Sequence, residues 1–176
     1  MTSKWEAVHF LSHVNIKNII GKELINDDSV AVMELVKNAY DAGAKNVTVE
    51  FRKLTQDIKY HELLIVEDGN GMSKDDFLHK GLYLAYSIKR VQIAQNNRLQ
   101  AGNKGIGRFS CDRLGKELDI YTKNKSGAHQ LKINWEDFEN IPDPNVQINN
   151  IPMQLREISD KDIQSETGFL LQDSGT

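Results

Sequence analysis

Ala31, Leu35, Ala39 and Ala42 recur at steps of three and four, an apolar stripe that predicts a helix. Asp27, Asp28 and Ser29 stand ahead of it with N-cap oxygens, and Gly43 closes it after a stretch free of proline and glycine. The period then changes. Val47, Val49 and Phe51 alternate with polar residues, the pattern of a half-buried strand. Leu63, Leu64, Ile65 and Val66 form a continuous run closed by Asp68-Gly69-Asn70-Gly71, which predicts a strand over 60–67 buried on both faces. The polar stretch 55–61 turns the hairpin between these two strands.

Beyond Gly71 the pattern predicts a short helix, a mobile loop with some helix over 88–103, and a second short helix over 107–114 ended by Gly115. Leu118, Ile120 and Thr122 share one face of a further strand, and Leu131, Ile133 and Trp135 alternate in the same way. A Pro/Asn/Asp-rich connector over 140–150 precedes a weak last strand over 169–172. Helices combined with a largely antiparallel sheet predict an α+β, two-layer arrangement.

Composition narrows the class. At 176 residues the chain reads as one domain, large enough to bury roughly 70% of its unfolded surface. Lys and Arg number 22 against 25 Asp and Glu, a net charge of -3, so a bound anion must be gripped locally and not by a basic arm. The four-residue run 63–66 is far short of the ~20 apolar residues of a membrane helix. The N-terminal MTSKWEAVHF has no apolar leader core. Cys111 is a single cysteine, with no internal disulfide partner and no metal site of its own, and its default role is packing. A cytoplasmic domain with no membrane contact is expected.

Three clusters carry possible chemistry. Glu34, Asn38 and Asp41 lie on one helix face; an amide oxygen is a hard donor suited to Mg²⁺, and a carboxylate one turn away can orient and deprotonate a water. Glu67-Asp68-Gly69-Asn70-Gly71-Met72 puts a partly desolvated carboxylate beside glycines that leave room for a flat ring, and an adenine amine would satisfy it. Gly102-Asn103-Lys104-Gly105-Ile106-Gly107-Arg108 offers a backbone nest and two cations for phosphate. It is neither a P-loop nor a dinucleotide fingerprint, since Ser110 stands where a third glycine belongs. Taken singly, each has a plainer reading: a solvated helix face, a turn, a flexible loop.

Taken together and in order, the three resemble the boxes of the GHKL ATPase superfamily of gyrase B subunits, heat-shock chaperone ATPases, histidine kinases and MutL proteins. ELVKNAYDAGA looks like its N-box, VEDGNGM like its first glycine box and GNKGIGR like its second, over residues 13–115. The resemblance implies the superfamily's Bergerat-type α/β sandwich, with helices on one face of the sheet, and binding of ATP with Mg²⁺. Asn38 would hold the metal, Glu34 would activate water, and Asp41 would support the site. Asp68 would accept from adenine above Gly71 and Met72. Asn103, Lys104, Gly105, Ile106, Gly107 and Arg108 would cradle the phosphates, under a lid over about residues 72–108. Ser174-Gly175-Thr176 looks like the start of the last box, where a Thr supports the adenine-bound Asp.

Glu34 separates the branches, because histidine kinases usually carry Asn there and need no water-activating base. Slow hydrolysis in a chaperone-like or MORC-like ATPase is the reading this implies. ATP would drive lid closure and homodimerisation of a longer protein from which this single domain, 1–176, was cut, with an effector domain downstream. A switch that binds nucleotide with little hydrolysis and a histidine-kinase-like phosphotransfer domain are the alternatives. Nucleic-acid contact is left open.

Overall fold

The computed structural model describes residues 12–19, 27–53, 57, 61–76, 78, 110–139, 141–143 and 145–176. Helix α1 (Ile16–Asn18) is a single turn. Helix α2 (Asp28–Asp41) begins where expected: Asp27 Oδ1 accepts from the backbone N–H of Ser29 at 2.7 Å and of Val30 at 3.4 Å. The Ser29 side chain, with those two backbone donors, holds the Asp27 carboxyl below the usual carboxylate range. Ala31 and Ala39 are buried, as the stripe requires, and Gly43 adopts the left-handed φ of +84° that ends the helix.

Strands β1 (Val47–Arg52) and β2 (Glu62–Glu67) pair antiparallel, with Val47 opposite Glu67 and Arg52 opposite Glu62. The expectation of a doubly buried central strand is corrected here. Leu63 to Val66 are only half-buried, and Val49 and Phe51 on β1 are 39% and 63% exposed. After the glycine turn comes α3 (Lys74–Asp76), then α4 (Cys111–Leu114), which stops at Gly115 as predicted. Of the lid expected over about residues 72–108, residues 72–76 and 78 are described; the rest, including the loop expected over 88–103, lies outside the described residues.

Strands β3 (Glu117–Asn124), β4 (Gly127–Asn134) and β5 (Gln154–Glu157) form an antiparallel sheet in that order, and α5 (Asp160–Thr167) follows. Alternate residues of β4 and the 3-10 turn Trp135–Phe138 build the main core: Leu131, Ile133, Trp135 and Phe138 with Val14, flanked by Met72, Leu118 and Ile120. Each such side chain contributes about 1.5–3 kcal/mol on burial. Residues 169–172 do not form the expected strand. The regular structure near the C-terminus is β5 and α5, the latter opened by a Ser159–Asp162 capping box and ended by Gly168 at a φ of +75°.

The two sheets are joined by the last two residues. Glu67 and Thr176 exchange both backbone hydrogen bonds, at 2.8 and 3.2 Å, and Lys123 and Gly175 do the same at 2.9 and 3.0 Å. Gly175-Thr176 therefore lies between β2 and β3, and the strand order reads β1, β2, 175–176, β3, β4, β5. No helix among the described residues is long and apolar enough to cross a membrane.

Candidate functional site

Strand alternation allows only one of the adjacent carboxylates Glu67 and Asp68 to enter the interior. Glu67 enters. It ends β2, is 8% exposed, and accepts from the backbone N–H of Gly69 and from the Thr176 hydroxyl. Burial pushes its carboxyl above the ordinary value, and those two donors partly offset the rise.

Around Glu67 the chain closes tightly. Thr122 of β3, fully removed from solvent, has its Oγ1 3.0 Å from Thr176 Oγ1 and 3.1 Å from the Gly175 carbonyl, and it accepts from Met72 N–H at 2.8 Å. Ser174 Oγ donates to the Gly69 carbonyl at 2.6 Å. Gly71 has a φ of +62°, and a Cβ there would collide with the Lys123 carbonyl; Gly175, at +144°, presses the same way on the Glu67 carbonyl. Gly71, Met72 and Thr176 are thus brought together, about Glu67 and Thr122, neither of which the sequence reading singles out.

Asp68 is placed elsewhere. It is exposed, and its Oδ1 accepts from the backbone N–H groups of Lys45 at 2.6 Å and Asn46 at 2.8 Å while Oδ2 accepts from Asn46 Nδ2 at 2.7 Å. The Asn46 donors above all bring its carboxyl down to about 2. Both oxygens are engaged in tying the α2–β1 turn to the end of β2, so the adenine contact expected of Asp68 finds its carboxylate committed to that turn. The sequence does hold a signal for Glu67: its side chain falls on the opposite face of the strand end from Asp68.

Helix α2 supplies the second group. Glu34 is half-buried with Lys37 Nζ 2.8 Å from its Oε1, Asn38 is exposed, and Asp41 is half-buried. The helix end is fastened to the glycine turn by Asn70 N–H, which donates to the Ala42 carbonyl at 2.9 Å. Its first turns rest on α4, where Arg113 Nε lies 2.6 Å from Asp28 Oδ1 and Ser110 Oγ lies 3.5 Å from the Ala31 carbonyl. No group of three or more His, Cys, Asp or Glu among the described residues forms a metal cluster. The donor chemistry still fits Mg²⁺, which takes one or two protein oxygens plus substrate phosphates, and Asn38 is an exposed residue whose amide has an oxygen donor. Asn103, Lys104, Gly105, Ile106, Gly107 and Arg108 lie outside the described residues. Two open grooves, of about 460 Å³ beside His13 and Phe138 and about 390 Å³ beside Asp112 and Lys116, contain none of these groups.

Residues 26–167 match the family model for histidine kinase-, DNA gyrase B-, and HSP90-like ATPases. The chain is 27% identical over 140 residues to the mitochondrial TNF receptor-associated protein 1 homolog of Dictyostelium discoideum, covering 69% of this chain and 20% of that protein. It is 40% identical over 113 residues to the DNA mismatch repair protein MutL of Dictyoglomus turgidum, covering 62% of this chain and 19% of MutL. It is 29% identical over 145 residues to the ATPase morc-1 of Caenorhabditis elegans, covering 75% of this chain and 15% of that protein. The chain spans about a fifth or less of the length of these curated relatives.

Proposed function

The chain belongs to the histidine kinase-, DNA gyrase B-, and HSP90-like ATPase family, and on that premise we propose that it binds ATP with Mg²⁺ and hydrolyses it slowly. The observation that carries this reading is Glu67, a buried carboxylate at the end of a strand, oriented by Gly69 N–H and the Thr176 hydroxyl. A carboxylate so placed has acceptor capacity left for an exocyclic amine. The adenine role moves to Glu67 from Asp68, with Gly71 and Met72 as the floor of the base pocket.

Asn38 would hold Mg²⁺, which supplies charge neutralisation at the phosphates when bound. Glu34 would orient a water and take its proton, Asp41 would support that face, and residues 103–108 would cradle the phosphates. Lid closure over about residues 72–108, ATP-dependent homodimerisation and a downstream effector domain belong to the same proposal. So does a cytoplasmic location. A second reading, a nucleotide switch with little turnover, is favoured by one contact: Lys37 occupies a Glu34 oxygen at 2.8 Å, and the base must leave that pair before it can act.

Calorimetric titration of Mg-ATP into Glu67→Gln and Asp68→Asn, with phosphate release measured on Glu34→Ala, tests the assignment. Glu67→Gln should weaken ATP binding at least tenfold, because one amide oxygen cannot serve Gly69, Thr176 and an amine together. Asp68→Asn should bind within a few-fold of wild type, and Glu34→Ala should bind but release no phosphate. Wild-type affinity in Glu67→Gln overturns the base pocket; unchanged release by Glu34→Ala overturns the catalytic role.

A further inference from the structure

We infer that Thr122 is the positioning residue of the base pocket, its hydroxyl heading a directed hydrogen-bond chain through Thr176 to the Glu67 carboxylate and locking Met72 to the same point. This rests on the reading of Glu67 as the adenine acceptor. Thr122 sits in the buried face of β3, where a valine would have the same shape without a hydroxyl to desolvate. The hydroxyl is kept and has three partners.

Proton accounting gives the chain its direction. Met72 N–H can only donate, and it donates to Thr122 Oγ1 at 2.8 Å. At the other end the Glu67 carboxylate accepts from the Thr176 hydroxyl. Thr122 has one proton, with Gly175 O at 3.1 Å and Thr176 Oγ1 at 3.0 Å as its two acceptors. Given to Thr176, that proton leaves each hydroxyl accepting one bond and donating one, with every donor aimed at Glu67. Aligned bonds of this kind polarise one another in a low-dielectric interior. The cross-strand positions enforce the row, since Lys123 pairs with Gly175 and Glu67 with Thr176. Thr122 and Thr176 are therefore neighbours on one face of the sheet.

The test compares wild type, Thr122→Val and Thr122→Ser in the 176-residue chain. Binding of Mg-ATP and Mg-ITP is titrated calorimetrically; ITP replaces the amine with a carbonyl. The ionisation of Glu67 is followed by ¹³C-carboxyl NMR without nucleotide. Thr122→Val should lose about tenfold in ATP affinity and most of the preference for ATP over ITP, with the Glu67 midpoint moving up. Thr122→Ser should restore all three to near wild type, which a purely structural role would not require. Should the valine variant not fold, Thr122→Ala against Thr122→Ser makes the same comparison, differing by the hydroxyl alone. Unchanged nucleotide preference and midpoint in Thr122→Val or Thr122→Ala overturn the inference while leaving Glu67 in place. A wild-type chain that binds ATP and ITP equally overturns the base-pocket reading itself.

Discussion

Lys17 and Asp112 face each other at 3.0 Å with side chains 0% and 1% exposed. The ammonium also lies 2.8 Å from Glu139, donates to the Trp135 carbonyl at 3.3 Å and stands 5.9 Å from the centroid of the Trp135 ring. Asp112 belongs to α4, whose Arg113 lies against α2 together with Ser110, the residue just ahead of α4. The helix bearing Glu34 and Asn38 thus rests on α4, and α4 rests on a lysine from the first described turn.

Removing one partner of a buried ion pair leaves the other charge uncompensated. Lys17→Met should therefore cost about 3–5 kcal/mol of unfolding free energy in urea titration. Adding Asp112→Asn should recover part of that loss, since the stranded charge is then gone. A single variant as stable as wild type would show that the pair contributes nothing net.

Gly71 permits a close approach as well as a left-handed backbone. Gly71→Ala should lower the stability by more than the ~1 kcal/mol typical of a glycine-to-alanine change at positive φ, because its Cβ would meet the Lys123 carbonyl. Gly115→Ala is the control: its backbone is extended and the nearest atom to a Cβ is 3.7 Å away. Equal melting temperatures for the two variants would refute the packing argument.

The adjacent carboxylates should bend the pH–stability curve in opposite directions. Asp68 titrates near 2 in the folded chain and near 3.9 when unfolded, so its contribution is present above about pH 4 and lost as pH falls toward 2. Glu67 is shifted upward, so the folded form holds its proton longer, and stability declines as pH rises from the unfolded value of about 4.3 through the folded one. Thermal melts should show Asp68→Asn flattening the acid limb and Glu67→Gln removing the decline above it. The reverse assignment would overturn the placement of the two side chains.

That pair also marks where sequence reading stopped. Helix α2, the β1–β2 hairpin and the three boxes are legible because caps, periodicity and glycine spacing are local signals. Which of two neighbouring carboxylates turns inward is decided by the pairing of Val47 with Glu67 and by Thr176, more than a hundred positions away. Strand β5 and helix α5 are not legible in the sequence for a related reason. Each has little apolar face of its own: α5 buries only Ile163 and Thr167. Thr122 read as one more residue on a strand face, because nothing local says that its hydroxyl meets a residue at the far end of the chain.

What anchors α5, with so little apolar face, is a polar network. Gln130 of β4 is fully buried; its Nε2 donates to Asp119 Oδ1 at 2.8 Å and to Tyr121 OH at 2.9 Å, and its Oε1 accepts from Arg156 Nε at 2.5 Å. Tyr121 OH and Arg156 Nη2 in turn donate to the two Glu166 oxygens of α5, at 2.8 and 2.7 Å. Burial and the bond to Glu166 push the Tyr121 phenol up. Gln130→Leu keeps the volume but leaves Asp119, Tyr121 and Arg156 each short of a partner, so it should cost about 1–3 kcal/mol in urea titration. Gln130→Glu should cost more, because it brings a third carboxylate beside Asp119 and Glu166. Hydrogen exchange resolves the mechanism: the amides of α5 should lose protection in both variants while those of α2 do not. If α5 stays protected in Gln130→Leu, the Gln130 network is not what holds the helix.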